Sequence, residues 1–340
     1  FDRTIVQCST GVGPDLIEIY GAADMAAYAE AGILLDLTPY AEDYGISPDT
    51  TYERLKGNLT YEGKQYRFPA NAGSQVLLFN KKKFDEAGLP YPTNDMTWEE
   101  MIELLQPLTV KRPSGVGYKQ FGLLIVRPFI ADIPLQFGGR FFNESKTVCI
   151  MDSPEFIDGM EMYYDVMYKY DLAPTPEAAG TLTSAGAWGA GEITWFRAGR
   201  SAALWGSRWM LVTYRDNKEL HDNLGAVLLP HVPGGTPASY SGTRGPAINA
   251  NSKNIEESLE FLSYLASEEY AEIIAMSADG LPPNAEYGSR EENLINPEYP
   301  NEDYHDVFIK SMDYAHPIEI SPFVGSKFVD RIWQDTLDLI

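Results

Sequence analysis

Histidine, cysteine and cationic side chains are all scarce in this chain, and each scarcity removes a class of function. The four histidines, His221, His231, His305 and His316, are scattered without the spacing of a zinc site. Cys8 and Cys149 form neither a metal-ligand pattern nor a redox C-x-x-C. No metal and no cofactor is therefore expected. Lys and Arg number 26 against 49 Asp and Glu, a net charge of −23, which argues against nucleic acid or an anionic membrane surface as a partner. No run approaches the roughly 18 apolar residues of a membrane-crossing helix. The motifs G-x-S-x-G, S-x-x-K and H-E-x-x-H are missing. Among so many carboxylates some must be neighbours by chance, but no pair is singled out as flanking a bond in the way a glycosidase requires. No catalytic residue is assigned.

What is present is 340 residues, 44% of them hydrophobic, with Gly and Pro near average usage, enough for two lobes with separate cores. The chain is organised around Thr194–Thr213, where Trp195, Trp205 and Trp209, half of the six tryptophans, fall together. The apolar run from Ser201 to Trp205 is too short for an ordinary helix. It predicts a buried strand that breaks at Gly206-Ser207 and restarts as a helix at Arg208-Trp209. In α/β proteins such a break lies at the carboxyl end of a sheet, where ligands bind. Each indole alone also suits a core. Clustered at the break, they read as a binding wall.

Elsewhere, Thr10–Ile19 is a loop running into a strand, and its Gly11 and Gly13 lack the Gly-Lys-Ser/Thr of a phosphate loop. Met25–Ala31 predicts a short helix stopped by Gly32. Val76–Lys81 predicts an apolar strand. Just before it stand Asn71, Gly73, Ser74 and Gln75, small and amide side chains whose paired donors and acceptors suit hydroxyl ligands. Thr97 with Glu100 forms a capping box, Ser153-Pro154-Glu155 opens a helix, and Asn254 with Glu257 reads as a second capping box. The apolar helix that this last one opens ends near Gly280. Trp98 is assigned to packing, as are Met160, Tyr163, Tyr164 and Met167 at helical spacing. Phe121–Val126 predicts a strand ending at Arg127, and Ala178–Glu192, small, Gly-rich and carrying Trp188, reads as a loop.

Several segments arrive in a telling order: Thr10-Gly11-Val12-Gly13-Pro14-Asp15, Leu35–Tyr40, Gly63-Lys64-Gln65-Tyr66, Phe79-Asn80-Lys81, Gln136-Phe137-Gly138-Gly139 with Phe142, Phe196-x-x-Gly199-Arg200-x-Ala202-Ala203 with Gly206 and Trp209, and Gly280-Leu281-Pro282-Pro283. Together they resemble the bacterial extracellular solute-binding proteins, the carbohydrate receptors of ABC importers, of which maltose-binding protein is the familiar member. The resemblance covers essentially the whole chain. It implies an α/β, two-lobe periplasmic-binding-protein type II fold, with a ligand cleft between lobes joined by hinge crossings. Lobe 1 is expected from 1–75 and 247–295, and lobe 2 from 76–246 and 296–340. The family carries a strand, a helix and a second strand before the Gly-Pro-Asp segment. About a dozen residues precede it here, so part of lobe 1 is expected to be missing.

The resemblance also implies where ligand contacts arise: Tyr20 and Asp24; Asn71, Gly73 and Ser74; Arg127; Trp188, Trp205 and Trp209; Thr243 and Arg244 in the return crossing Ser241–Pro246; and Phe323. In such a site sugar C–H faces lie on aromatic rings while amides and guanidinium groups meet the hydroxyls. Gly73, Gly242 and Gly245 in the crossings would give a hinge its backbone freedom. The implied partners are a mono- or oligosaccharide and the membrane permease of an ABC transporter, with the receptor itself a monomer. The implied location is the periplasm or, for a lipoprotein, the cell surface. The first residue is Phe1 and no signal peptide precedes it, which is compatible with export. The alternative reading is a carbohydrate-active, glycosidase-like enzyme with an aromatic cleft.

Overall fold

The computed structural model describes residues 2–114, 117–182, 190–320 and 326–340. The chain forms two compact units. One comprises Phe1–Gly73, Ser241–Asn296 and His316–Asp335; the other comprises Ser74–Tyr240, Pro297–Ala315 and Thr336–Ile340.

The first unit grows around a short strand, Gly245–Ile248, which pairs antiparallel with Leu16–Ile19 and bridges Arg67 on its other side. Side chains alternate across a strand with period two. Ala247 accordingly joins one core, with Ile17, Ile19, Met25, Tyr28 and Leu34. Ile248 joins the other, with Phe68, Leu259, Leu262 and Leu265. The helix Ala22–Glu30 covers the first core and ends before Gly32, whose φ of 69° is the left-handed conformation expected of a helix stop. Gly245 is required for a different reason. A Cβ there would stand 2.2 Å from the Phe68 carbonyl oxygen, and neither it nor Gly73 or Gly242 has a positive φ. Close packing, not unusual dihedrals, explains the glycine at this position.

In the second unit a five-stranded mixed sheet runs in the order Val110–Lys111, Tyr118–Ile125, Ser201–Gly206, Val76–Asn80, Leu224–Val227. Tyr118–Ile125 and Ser201–Gly206 are parallel, and the other pairs antiparallel. Ser201–Gly206 and Val76–Asn80 are buried at every residue. That is why each reads as a continuous apolar run, not an alternating one. The Thr97 capping box forms as expected, with Thr97 Oγ1 accepting from Glu100 N and the Glu100 carboxylate accepting from Thr97 N. Ser153 caps Pro154–Tyr168.

Four expectations are corrected. Asn254 makes no side-chain cap; its side chain is turned so that Nδ2 donates to the Asp15 carboxylate and Oδ1 does not accept from the helix N–H groups. The apolar helix is two, Ile255–Leu265 and Glu268–Ser277, because Ser267 accepts from Tyr270 N and restarts it. Tyr164 is 49% exposed and stacks on Tyr168, one helical step round from the buried Tyr163. The stretch expected as a loop over Ala178–Glu192 enters and leaves as helix, Pro176–Leu182 and Ala190–Arg197. Residues 183–189, with Trp188, lie outside the described residues, as does Phe323.

Candidate functional site

In the first unit, Asn71, Thr243 and Arg244 are brought together by reciprocal hydrogen bonds. Thr243 Oγ1 donates to the Asn71 carbonyl at 2.5 Å, and the Asn71 side chain accepts from Arg244 N at 3.1 Å while donating to the Asp279 carbonyl at 3.0 Å. Gly73 and Gly242 exchange both backbone bonds. Arg244 is spread between Asp279, at 2.5 Å, and Glu18, at 3.3 Å. Burial works against its charge, but these carboxylates outweigh burial and hold its pKa above the usual guanidinium value. Glu18 lies on the strand Leu16–Ile19, so this pair reaches the edge from which Tyr20 projects, 73% exposed. Asp24 follows in the first turn of Ala22–Glu30, where a helix N-terminus favours an anion.

Beneath these residues lies Arg67, fully buried, with Nε donating to the Asn58 carbonyl at 2.8 Å and Nη1 to those of Ile19, at 3.0 Å, and Thr243, at 3.4 Å. Burial pushes its pKa down to about 10. It ties the backbone beside Tyr20 to the backbone of Thr243.

The second unit holds the tryptophan stretch. The strand Ser201–Gly206 breaks at Ser207, which is extended, and the chain turns through a 3₁₀ segment, Arg208–Met210, into the helix Leu211–Tyr214. Ser207 Oγ donates to the Ser74 carbonyl at 3.0 Å, and Ser74 Oγ pairs with Ser311 Oγ. Trp209 is half-buried between the buried Arg208 and Met210 on this turn. Trp205 is placed differently, on the strand itself. It is 0% exposed, 5.6 Å from Trp98 between ring centroids, with its indole N–H donating to Asp132 Oδ2 at 3.0 Å. Its ring is spent on the core, because both faces of that strand are covered. Trp195 is half-buried against Phe121 and beneath Arg200. Arg127 pairs with Asp338 at 2.5 Å and is 38% exposed.

Asp132 is the residue in this group that sequence patterns did not mark. It is buried, and Oδ1 accepts from Tyr240 N at 2.8 Å. With no cation beside it, burial raises its pKa to about 8, and the two hydrogen bonds offset that only in part. A raised folded pKa favours folding below the unfolded value near 3.8, and that contribution is lost as pH rises to about 8, then levels. Asp132→Asn removes the titration. Its urea-unfolding free energy relative to the unsubstituted protein should therefore improve from pH 5 to 8 and stay constant above. A difference independent of pH would show that Asp132 ionises normally.

Among the described residues no group of His, Cys, Asp and Glu is placed to hold a metal ion, and no helix is long and apolar enough to cross a membrane. Taken separately, the second unit sets a half-buried indole just past the end of a sheet strand, and the first laces amide, hydroxyl and guanidinium groups together by hydrogen bonds. The family model described as bacterial extracellular solute-binding protein matches residues 3–272. The chain belongs to this family.

Among relatives of this solute-binding protein, a maltotriose-binding protein of Pyrococcus abyssi is 25% identical over 97% of the chain and 68% of its own length. An arabinooligosaccharide-binding protein of Halalkalibacterium halodurans is 24% identical over 81% of the chain and 62% of its own length. The chain thus spans about two thirds of the length of these relatives. An ABC substrate-binding protein from Listeria monocytogenes, solved in complex with cycloalternan, matches with a TM-score of 0.80 at 24% identity, over 99% of this chain and 83% of that one. This likeness shows the fold, the two-lobe α/β type expected from the sequence motifs.

Sequence reading of this solute-binding protein missed Glu18, Arg67, Asp132 and Asp279. None sits in a distinctive local pattern. Each acts through partners distant in sequence, as with Arg67 and Thr243, 176 residues apart.

Proposed function

We propose that this protein is an exported receptor that binds an oligosaccharide and delivers it to the membrane permease of an ABC importer. The observation that carries the reading is family membership over residues 3–272, joined to relatives named for maltotriose and arabinooligosaccharide binding. Trp209 would supply a stacking face, while Asn71, Thr243 and Arg244 in the first unit and Ser74 and Arg127 in the second would supply polar contacts. The receptor acts without cleaving its ligand, outside the cytoplasm in the periplasm or on a lipid anchor, and as a monomer.

The test is calorimetry with maltotriose and with arabinotriose, followed by chromatography of the sugar. Saturable binding of one ligand per chain with the sugar recovered intact is expected. Shorter products would make it an enzyme, and no heat with any oligosaccharide in a wider screen would end the carbohydrate reading. Trp209→Ala should weaken binding by about 2 kcal/mol or more, the range of an aromatic hot spot, with the protein still folded by circular dichroism. Unchanged affinity with lowered stability would make Trp209 a packing residue.

A further inference from the structure

Beside the Trp209 turn, the second unit buries five ionisable side chains in one connected network. Arg208 Nε donates to His305 Nδ1 at 3.3 Å. His305 Nε2 lies 2.7 Å from Glu302 Oε2. Glu302 also receives Arg215 through two bonds, Nε to Oε1 at 2.8 Å and Nη2 to Oε2 at 2.7 Å, and His221 Nε2 at 3.0 Å. Arg208 and His305 are each 2% exposed, and the Glu302 side chain is fully buried.

The chemistry assigns the protons. Arginine only donates, so Nδ1 of His305 must accept and its proton must sit on Nε2. Nε2–H then donates to Glu302, whose carboxylate takes four hydrogen bonds and has reached its capacity. Burial opposes that charge, but Arg215 and His305 hold the Glu302 pKa well below the carboxylate range. Burial also lowers the His305 pKa, with the Arg208 charge adding to it and Glu302 opposing it. The groups facing His305 are Arg208 and Arg215 from the turn and helix after Gly206, Glu302 with His221 behind it, and the rings of Tyr304 and Phe308.

We propose that His305 is a positioning residue for ligand binding: as a neutral imidazole protonated on Nε2 it holds Arg208, and through it the turn that presents Trp209. This rests on the reading of Trp209 as a ligand face. Taking up a proton on Nδ1 sets an N–H against the Arg208 N–H, so the contact is lost and the turn released. Acid should therefore weaken binding through a residue that does not touch the ligand.

Three measurements test it. Nitrogen-15 NMR of the histidine rings should show His305 neutral and protonated on Nε2 at pH 7.5; an Nδ1–H tautomer overturns the proposal. Maltotriose affinity should fall below the His305 titration by up to about tenfold per pH unit. His305→Asn, which keeps an acceptor towards Arg208 but cannot take up the proton, should flatten that profile; an unaltered slope in a folded variant overturns it. His305→Gln, which reaches Glu302 but removes the Nδ1 acceptor that Arg208 Nε uses, should bind weakly at every pH. Trp209 fluorescence in the ligand-free protein, isolated by difference from Trp209→Phe, should change with the same midpoint. Should maltotriose fail to bind at any pH, the receptor reading is what suffers. The tautomer and the fluorescence midpoint still decide the role of His305, and a fluorescence signal indifferent to its titration overturns it.

Discussion

Trp205→Ala is expected to cost about 3–5 kcal/mol of unfolding free energy, the range for removing a large buried aromatic. The ring is fully enclosed, so truncation leaves a cavity that the strand Ser201–Gly206 cannot collapse into without breaking its ladders to Val76–Asn80 and Tyr118–Ile125. It also strips Asp132 Oδ2 of its indole donor, leaving a buried carboxyl with the Tyr240 N–H as its remaining partner of the two. Urea unfolding measures the loss, and calorimetry on the folded fraction measures affinity. A variant as stable as the original that no longer binds sugar would return Trp205 to the ligand.

The second large effect lies in the other unit. Arg67→Met keeps much of the side chain's apolar volume but removes every donor. The Ile19, Asn58 and Thr243 carbonyls then lose a buried partner. Each orphaned acceptor costs about 1–3 kcal/mol, so a loss on the order of 4 kcal/mol is expected, read from the urea midpoint at constant slope. Because Arg67 joins the backbone beside Tyr20 to Thr243, ligand affinity should fall in the surviving folded protein as well. A loss below about 1 kcal/mol would show that the carbonyls find other donors, and the bracing role would fall with it.

These two predictions mark where the sequence is readable and where it is not. The break at Gly206-Ser207 was legible because a run too short for a helix must pair as a strand, and a Gly-Ser pair interrupts it. The caps at Thr97 and Ser153 were legible because they act over three residues. Trp205 and Trp209 flank the same break and differ only in whether the strand or the turn carries them, a difference that local patterns blur. The continuous run from Ser201 does hold the clue, since a strand without alternation is covered on both faces. Asn254 looked like a cap because Glu257 follows it, yet its amide is taken by Asp15, 239 residues earlier. Glu302 and its three partners, with Arg208 behind His305, were invisible for the same reason. Solitary ionisable residues acquire meaning only when the fold gathers them.

The composition of the first unit has a consequence for the order in which the protein is made. Its sheet joins Leu16–Ile19 to Gly245–Ile248, and a side-chain bond from Asn249 to Pro14 spans 235 residues. A chain emerging from the ribosome presents Ile17, Ile19, Leu34 and Leu37 long before their cover exists, whereas 74–240 brings all five strands of the other sheet in one stretch. Contacts so distant in sequence close slowly. A stop codon anywhere ahead of residue 245 would therefore do its worst damage at the opposite end of the polypeptide, stranding the first 73 residues without the strand that completes them.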